Sequence, residues 1–328
     1  MENIKKIPLV NRLFENLGPL LLVLVLPFIF NIIGFSFGLN IAIFIFLFII
    51  VASGLDILFG YSGQMSMGHA GFYAIGAYGS ALLTIYLGLP AIVTIFLAPL
   101  LAAGIGAMLA FPASKLRFHF LTLATVAFGE IIFQVIFQSP GRITNDAIGL
   151  RVPPIRLFGW ILRTNNFTAI YFFLLIFVVL ALTAKTNLVN SRVGRALIAV
   201  RENSHAADGM GVDVRKYKVI AFALSAFFVA MAGSLFAHTV GFINPNGFTA
   251  TQSVLFVTIL LFGGTASKWG PVMGAITIAI LQELLRPLGN LQVLIYGVLL
   301  LTVIVAMPGG LFGSFKSLVA FIKKRGAK

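Results

Sequence analysis

The chain has 328 residues, of which 59% are hydrophobic and only 10% charged. Soluble domains carry about 25% charged residues, so most of this surface does not face water. The lack of cysteine excludes disulfides and thiolate chemistry, and four histidines with nine carboxylates are too thinly spread for a metal cluster. A net charge of +14 would suggest nucleic acid in a soluble protein; in a chain this apolar it reports topology instead, and no nucleic-acid partner is expected.

Continuous apolar runs predict an all-α, polytopic membrane protein of about ten transmembrane helices, some broken or re-entrant. Backbone polar groups in lipid must be satisfied inside helices or closed barrels, and these runs do not alternate as barrel strands would. Residues 18–37 predict a first span that is retained, because the run has neither the short apolar core nor the small-residue cleavage site of a signal peptide. Further spans are predicted near 39–58, 67–88, 91–111, 118–138, 167–184, 218–240, 250–263, 271–286 and 291–307. Leu87-Gly88-Leu89-Pro90 and Ala110-Phe111-Pro112 punctuate them. With the N-terminus inside, 18 of the 23 basic residues fall on the cytoplasmic side, and Arg142, Arg151, Arg156, Arg163 and Arg286 fall outside. That imbalance sets the orientation, with both termini cytoplasmic.

Six glycines crowd the stretch from Gly60 to Gly79. One reading is packing alone, since small residues let helices approach closely. The other is a broken or re-entrant helix lining a pathway, with Gln64, Ser66, Gly68 and His69 as its local polar lining and free N–H groups at a half-helix start to meet a carboxylate. The segment Gly263–Ala275 is a plausible counterpart in the second half.

Few ionisable residues fall in or near the spans. Asp56 is expected near an inner end within reach of water, and His119 and His238 at interfaces. Glu283 and Arg286, three residues apart on a helix, read as a local ion pair. Glu130 is the carboxylate well inside a span, with Gln134 one turn on; it either lines the pathway or bonds a neighbouring helix. A proton- or sodium-driven carrier usually needs an intramembrane carboxylate relay, for which these groups are too few.

Two connections are long. The outer one, near 139–166, contains Ser139-Pro140-Gly141 and Val152-Pro153-Pro154. The inner one spans 185–217. There Val193, Ala196, Leu197 and Val200 form one apolar stripe at helical spacing, flanked by Arg192, Arg195 and Arg201. Asn203 or Ser204 is positioned to cap a second short helix, and Gly209 and Gly211 to end it. Such a loop either lies on anionic headgroups or docks a cytoplasmic partner. Its acidic residues, Glu202, Asp208 and Asp213, favour docking, with the stripe and the Glu202–Gly211 segment as the surface. No nucleotide-binding loop of the G-x-x-x-x-G-K-[ST] kind is present, so any ATP would be hydrolysed by another chain.

Three stretches carry a resemblance: Gly60-Tyr61-Ser62-Gly63-Gln64-x-Ser66-x-Gly68-His69-Ala70-x-Phe72-x-x-Ile75-Gly76-Ala77-Tyr78; Arg201-Glu202-Asn203-x-x-Ala206-Ala207-x-x-x-Gly211, followed by Lys218 and a helix with Ala232-Gly233; and Gly263-Gly264-x-x-x-x-x-Gly270-Pro271-x-x-Gly274-Ala275. Together, over roughly 40–310, the chain resembles the permease subunits of ABC importers for branched-chain amino acids, the longer of the two paired types. The resemblance implies a single transmembrane permease domain over 1–328 in a bacterial-type inner membrane, with 185–217 as a coupling loop seated on an ATPase through Arg201, Glu202, Ala206, Ala207 and Gly211. It implies a second related permease, two cytoplasmic ATPase subunits and an extracytoplasmic solute-binding protein as partners, and no cofactor. Related permeases carry other amino acids or urea and short amides. A stand-alone transporter or channel remains a rival. A membrane-embedded enzyme would need a convergent His, Asp or Glu cluster, which the sequence does not offer.

Overall fold

The computed structural model describes residues 26–27, 36–113, 118–139, 143–157, 160–162, 166–289, 291–306 and 310–313. The predicted span near 18–37 lies almost wholly outside these, as do Lys115, Arg117, Pro140, Gly141, Arg142, Arg163 and the basic residues of both termini. The His119 side chain is likewise outside the description.

Each remaining predicted span is a helix. Helix α1 (Ser36–Leu55) continues as a π-helical turn, Asp56–Tyr61. After a break come α2 (His69–Tyr86), α3 (Ala91–Ala113) and α4 (Phe118–Phe137). Helix α5 (Phe167–Asn190) leads into the short α6 (Arg192–Glu202) and α7 (Ser204–Gly209). Helices α8 (Val214–Val240), α9 (Ala250–Gly263), α10 (Gly270–Leu285) and α11 (Leu291–Ala306) complete the order. Pro112, read as a breaker, lies inside α3 one residue before the last described residue of that helix.

Among the described residues, six helical segments are long and apolar enough to cross a membrane: Phe37–Tyr61, Ala91–Pro112, Phe120–Phe137, Phe167–Asn190, Val214–Val240 and Gly270–Leu288. The expected count of about ten is not reached on that measure. Helix α9 has 14 residues, about 21 Å at 1.5 Å per residue, against roughly 30 Å of hydrocarbon. The chain is therefore a polytopic, mainly helical membrane protein with at least six spans.

Helices α1 and α8 form the centre, and α8 packs on α1, α2 and α3. The α2–α8 crossing is set by two glycines. A Cβ on Gly76 would run into the Ala230 carbonyl, and one on Gly233 into the Tyr73 carbonyl. Ser234 Oγ closes the contact by donating to Gly76 O at 2.9 Å. Small residues permit this approach, and dispersion plus an interhelical hydrogen bond hold it where lipid supplies no hydrophobic drive.

The two ends of the bundle differ. One carries α6 and α7, the last turn of α3 and the 264–269 turn; there Arg215, in the first turn of α8, donates to Phe111 O on α3 at 3.4 Å. At the other end the long outer connection folds over the helix ends. It contains strands, which the all-α expectation missed. Leu150–Arg151 (β1) pairs antiparallel with Phe242–Ile243 (β4), and Ile155–Leu157 (β2) with Trp160–Leu162 (β3). Val152-Pro153-Pro154 keeps the chain extended between β1 and β2. Pro153 O lies 3.0 Å from His238 Nδ1, which corrects the reading of His238 as interfacial: the outer connection covers it, leaving it 2% exposed.

Candidate translocation and coupling site

The α1–α2 break is the first part of the site. The chain descends through the π-helical turn, then returns into the bundle as irregular backbone over residues 62–68 before α2 starts. That start lies level with Ser225, about three turns into α8. Helix α2, 18 residues or about 27 Å long, thus begins at depth in the bundle and not at its end. Such backbone is tolerated only under protein cover, and here it is covered: Ser62, Gln64 and Ser66 are buried. Gln64 N donates to Leu58 O at 3.1 Å, and Met67 N to Thr125 Oγ1 at 3.2 Å.

The structure brings Gln64, Ser66, Gly68 and His69 together, and their polar groups are met from within. Gln64 Nε2 donates to Ser62 Oγ at 2.7 Å and to Lys218 O at 3.1 Å. His69 is buried between Phe72 and Phe222, with ring nitrogens 2.9 Å from Ser66 Oγ and 2.8 Å from Ser225 Oγ. Ala70 N, a helix-start amide that was expected to face a ligand, donates to Ser253 Oγ at 2.8 Å. Gly68 lies against the Thr125 carbonyl, where no Cβ fits. The cluster is a sealed joint between α2, α4, α8 and α9.

Glu130 is elsewhere. It is exposed on α4, and its Oε1 accepts from Gln134 Nε2 at 3.1 Å; Gln138 Nε2 donates to Gln134 Oε1 at 3.4 Å. A polar ladder therefore runs along a helix whose membrane window is only 17% buried, against 78% for α1.

The second part is the α6–α7 segment. Helix α5 extends six residues beyond its predicted end, so the connection proper begins at Ser191. Ser191 Oγ caps α6 by accepting from Val193 N and Gly194 N, and Asn203 Oδ1 caps α7 by accepting from His205 N and Ala206 N. Gly211 takes a left-handed φ of 83° after α7. The apolar stripe faces the other way from the docking reading. Ala196, Leu197 and Val200 are buried against the bundle. Periodicity finds the apolar face of a helix but not what covers it. The face left open carries Arg195, Ile198, Ala199 and Glu202, continued by Ala206 and Met210; Ala207 is buried. Arg201 also turns inward, its guanidinium donating to Gly60 O on the π-helical turn.

One pair was missed. Asp56, expected near water, is fully buried, and its Oδ2 lies 2.6 Å from Lys185 Nζ, itself 2% exposed. The available signal was one lone acid and one lone base in separate apolar segments at the same end. Lys185, taken as a topology marker, is instead part of the interior. Glu283 and Arg286 do pair locally, at 3.5 Å. Among the described residues no group of three or more His, Asp or Glu is placed to hold a metal ion.

A multi-span helical bundle with a helix starting at depth and a capped pair of short helices at one end is a membrane transport permease in class. The chain belongs to the family described as branched-chain amino acid transport system / permease component, which matches residues 37–307. It is 34% identical over 285 residues to the high-affinity branched-chain amino acid transport system permease protein LivM of Escherichia coli (strain K12), covering 80% of this chain and 67% of that protein. It is 26% identical to the corresponding LivH permease of the same strain, covering 80% and 90%. It is 28% identical to the nucleoside ABC transporter permease protein NupC of Lactococcus lactis subsp. cremoris (strain MG1363), covering 64% and 68%. No solved structure matches the chain.

Proposed function

We propose that this chain is a transmembrane subunit of an ATP-driven importer and forms part of the path for branched-chain, aliphatic amino acids. The observation that carries the reading is the likeness to LivM along 80% of the chain, joined to an exposed, capped helix pair at one end. The likeness to LivH in the same organism supports a second, related permease beside this one. Two cytoplasmic ATPase subunits and an extracytoplasmic binding protein complete the assembly. In this reading the chain has about ten spans, counting α2, α9, α11 and the segment near 18–37. The α6–α7 end and both termini are cytoplasmic, following the basic residues.

The chain itself changes no bond. The ATPase seats on Ile198, Glu202, Ala206 and Met210, and its closure moves α6 and α7. Gly211 sets the turn out of the pair, and Arg201 carries the motion to Gly60. Gln64, Ser66, Gly68 and His69 shape the wall of the path, while Glu130 lies in it.

The test is uptake of labelled leucine into proteoliposomes holding the full complex with its binding protein, with urea, other amino acids and a nucleoside as competitors. ATP-dependent uptake that valine and isoleucine inhibit is expected. Uptake by this chain alone would replace the reading with a stand-alone carrier. Competition by the nucleoside but not by valine would move the substrate class toward that of NupC. Because the chain has no cysteine, Met210→Cys labelled only from the cytoplasmic side would confirm the orientation.

A further inference from the structure

The buried pair of Asp56 and Lys185 plays no part in that scheme, yet it sits where the scheme's moving parts meet. Asp56 opens the π-helical turn. Lys185 lies on α5 shortly before that helix runs through Ser191 into α6. The pair is 2.6 Å apart, with both side chains almost wholly excluded from solvent. Each partner also holds the turn between α9 and α10: Ala266 N donates to Asp56 Oδ1 at 2.7 Å, and Lys185 Nζ donates to Ser267 O at 2.9 Å. At the far end of α6, Arg201 donates to Gly60 O on the same π-helical turn. Residues 56–61 are thus tied both to the end of α5 that leads into α6 and to the last turn of α6 itself.

The joint has little slack. A Cβ on Gly60 would run into Asp56 Oδ1 and Ala266 N. Ala266 holds a φ of 53°, a left-handed conformation that L-residues with a Cβ avoid. A π-helical turn is itself unusual and recurs at functional sites. Stability alone does not account for the charges, because a buried ion pair replaced by apolar residues of similar volume is often as stable or more so. An apolar pair would not, however, hold Ala266 N and Ser267 O.

We propose that Asp56 and Lys185 are positioning residues that fasten α6, the π-helical turn and the 264–269 turn into one moving unit. A displacement of α6 then reaches α1, α9 and α10 and is not lost in the loop. The proposal rests on the coupling role of α6 given above.

The test uses the full complex in proteoliposomes, measuring leucine uptake and ATP hydrolysis on one preparation, with co-purification of the subunits and Tm as controls. Lys185→Met leaves a buried carboxylate unpaired and is expected to lower the yield of complex. Asp56→Leu combined with Lys185→Met is expected to restore yield and Tm, while uptake per ATP falls about tenfold, as for lost charge-assisted hydrogen bonds. Wild-type uptake per ATP in that double variant would show a purely structural pair and overturn the proposal. If the double variant does not assemble, Arg201→Gln decides. It opens the other tie at an exposed residue, and full coupling there overturns the proposal equally. A wild-type complex that moves no leucine with ATP would instead sink the importer reading, and this inference with it.

Discussion

His69 shows how a polar residue in a membrane interior is satisfied by the protein itself. Its ring is enclosed by Phe72 and Phe222, and both nitrogens meet serine hydroxyls on different elements. Ser225→Ala would leave one nitrogen unpaired, at about 1–3 kcal/mol for a buried polar group. His69→Ala adds a cavity and is expected to be worse. Both variants should lower the Tm of the purified complex while the leucine KM of the surviving fraction stays unchanged. A changed KM at normal Tm would place His69 in contact with substrate. Glu202 and Gly211, the residues proposed to couple the chain to an ATPase, should behave in the opposite way. Glu202 is exposed, and Glu202→Gln should leave Tm unchanged while lowering uptake per ATP. Gly211→Val adds about 1–2 kcal/mol of strain at a left-handed φ and should also uncouple without unfolding. Unchanged coupling in both variants tells against α6–α7 as the ATPase seat.

The α2–α8 crossing is the element on which the start of α2 at depth depends. Gly76 and Gly233 let two backbones touch. Gly76→Val would push against a carbonyl that has no free rotamer, and overpacking of this kind costs about 1–3 kcal/mol or more. Loss of extractable complex is expected, and Gly104→Val, with open space at its Cβ, should leave the yield unchanged; equal yields in the two would show that the crossing is not close-packed. Elements of this type were legible in advance. Apolar runs located the long described helices; for α7, Asn203 and not Ser204 is the cap, the helix ends at Gly209, and Gly211 makes the left-handed turn after it, all legible because caps and turns are local. What was not local was not legible. The Val193–Val200 stripe identified an apolar face, but whether a partner or the bundle covers it depends on α8 and the π-helical turn. Asp56 and Lys185 each looked like an isolated charge near a helix end, and only the packing of α1 against α5 joins them. Strands β1 and β4 pair although β2, β3 and helices α5 to α8 lie between them in the chain, a contact that no alternation of two residues reveals.

For the molecule as a whole, the unsolved surface is the α4 face. A carboxylate at the centre of a span costs roughly 2.5–3.5 kcal/mol even on the lenient insertion scales when lipid is its neighbour. Glu130, Gln134 and Gln138 lie in a row there, bonded to one another along their own helix. Flanking them are Leu123, Ile131 and Val135, exposed at 65%, 60% and 56%, so most of the helix suits lipid or an apolar protein surface. The ladder is the exception, and the proposed importer accounts for it by a watery cleft between this chain and a second permease. In that reading a zwitterionic amino acid in the cleft presents an ammonium group, for which the Glu130 carboxylate is a transient partner. Glu130→Gln keeps the ladder's shape and hydrogen bonds while removing the charge. It should leave assembly and Tm intact and reduce leucine uptake about tenfold, the effect of one lost charge-assisted contact. Glu130→Leu should match it in transport without raising Tm, since a carboxylate that faces water carries no burial penalty to remove. If Glu130→Leu instead stabilises the complex and transports normally, the ladder faces lipid or a static contact, and the path must be sought on another face of the bundle.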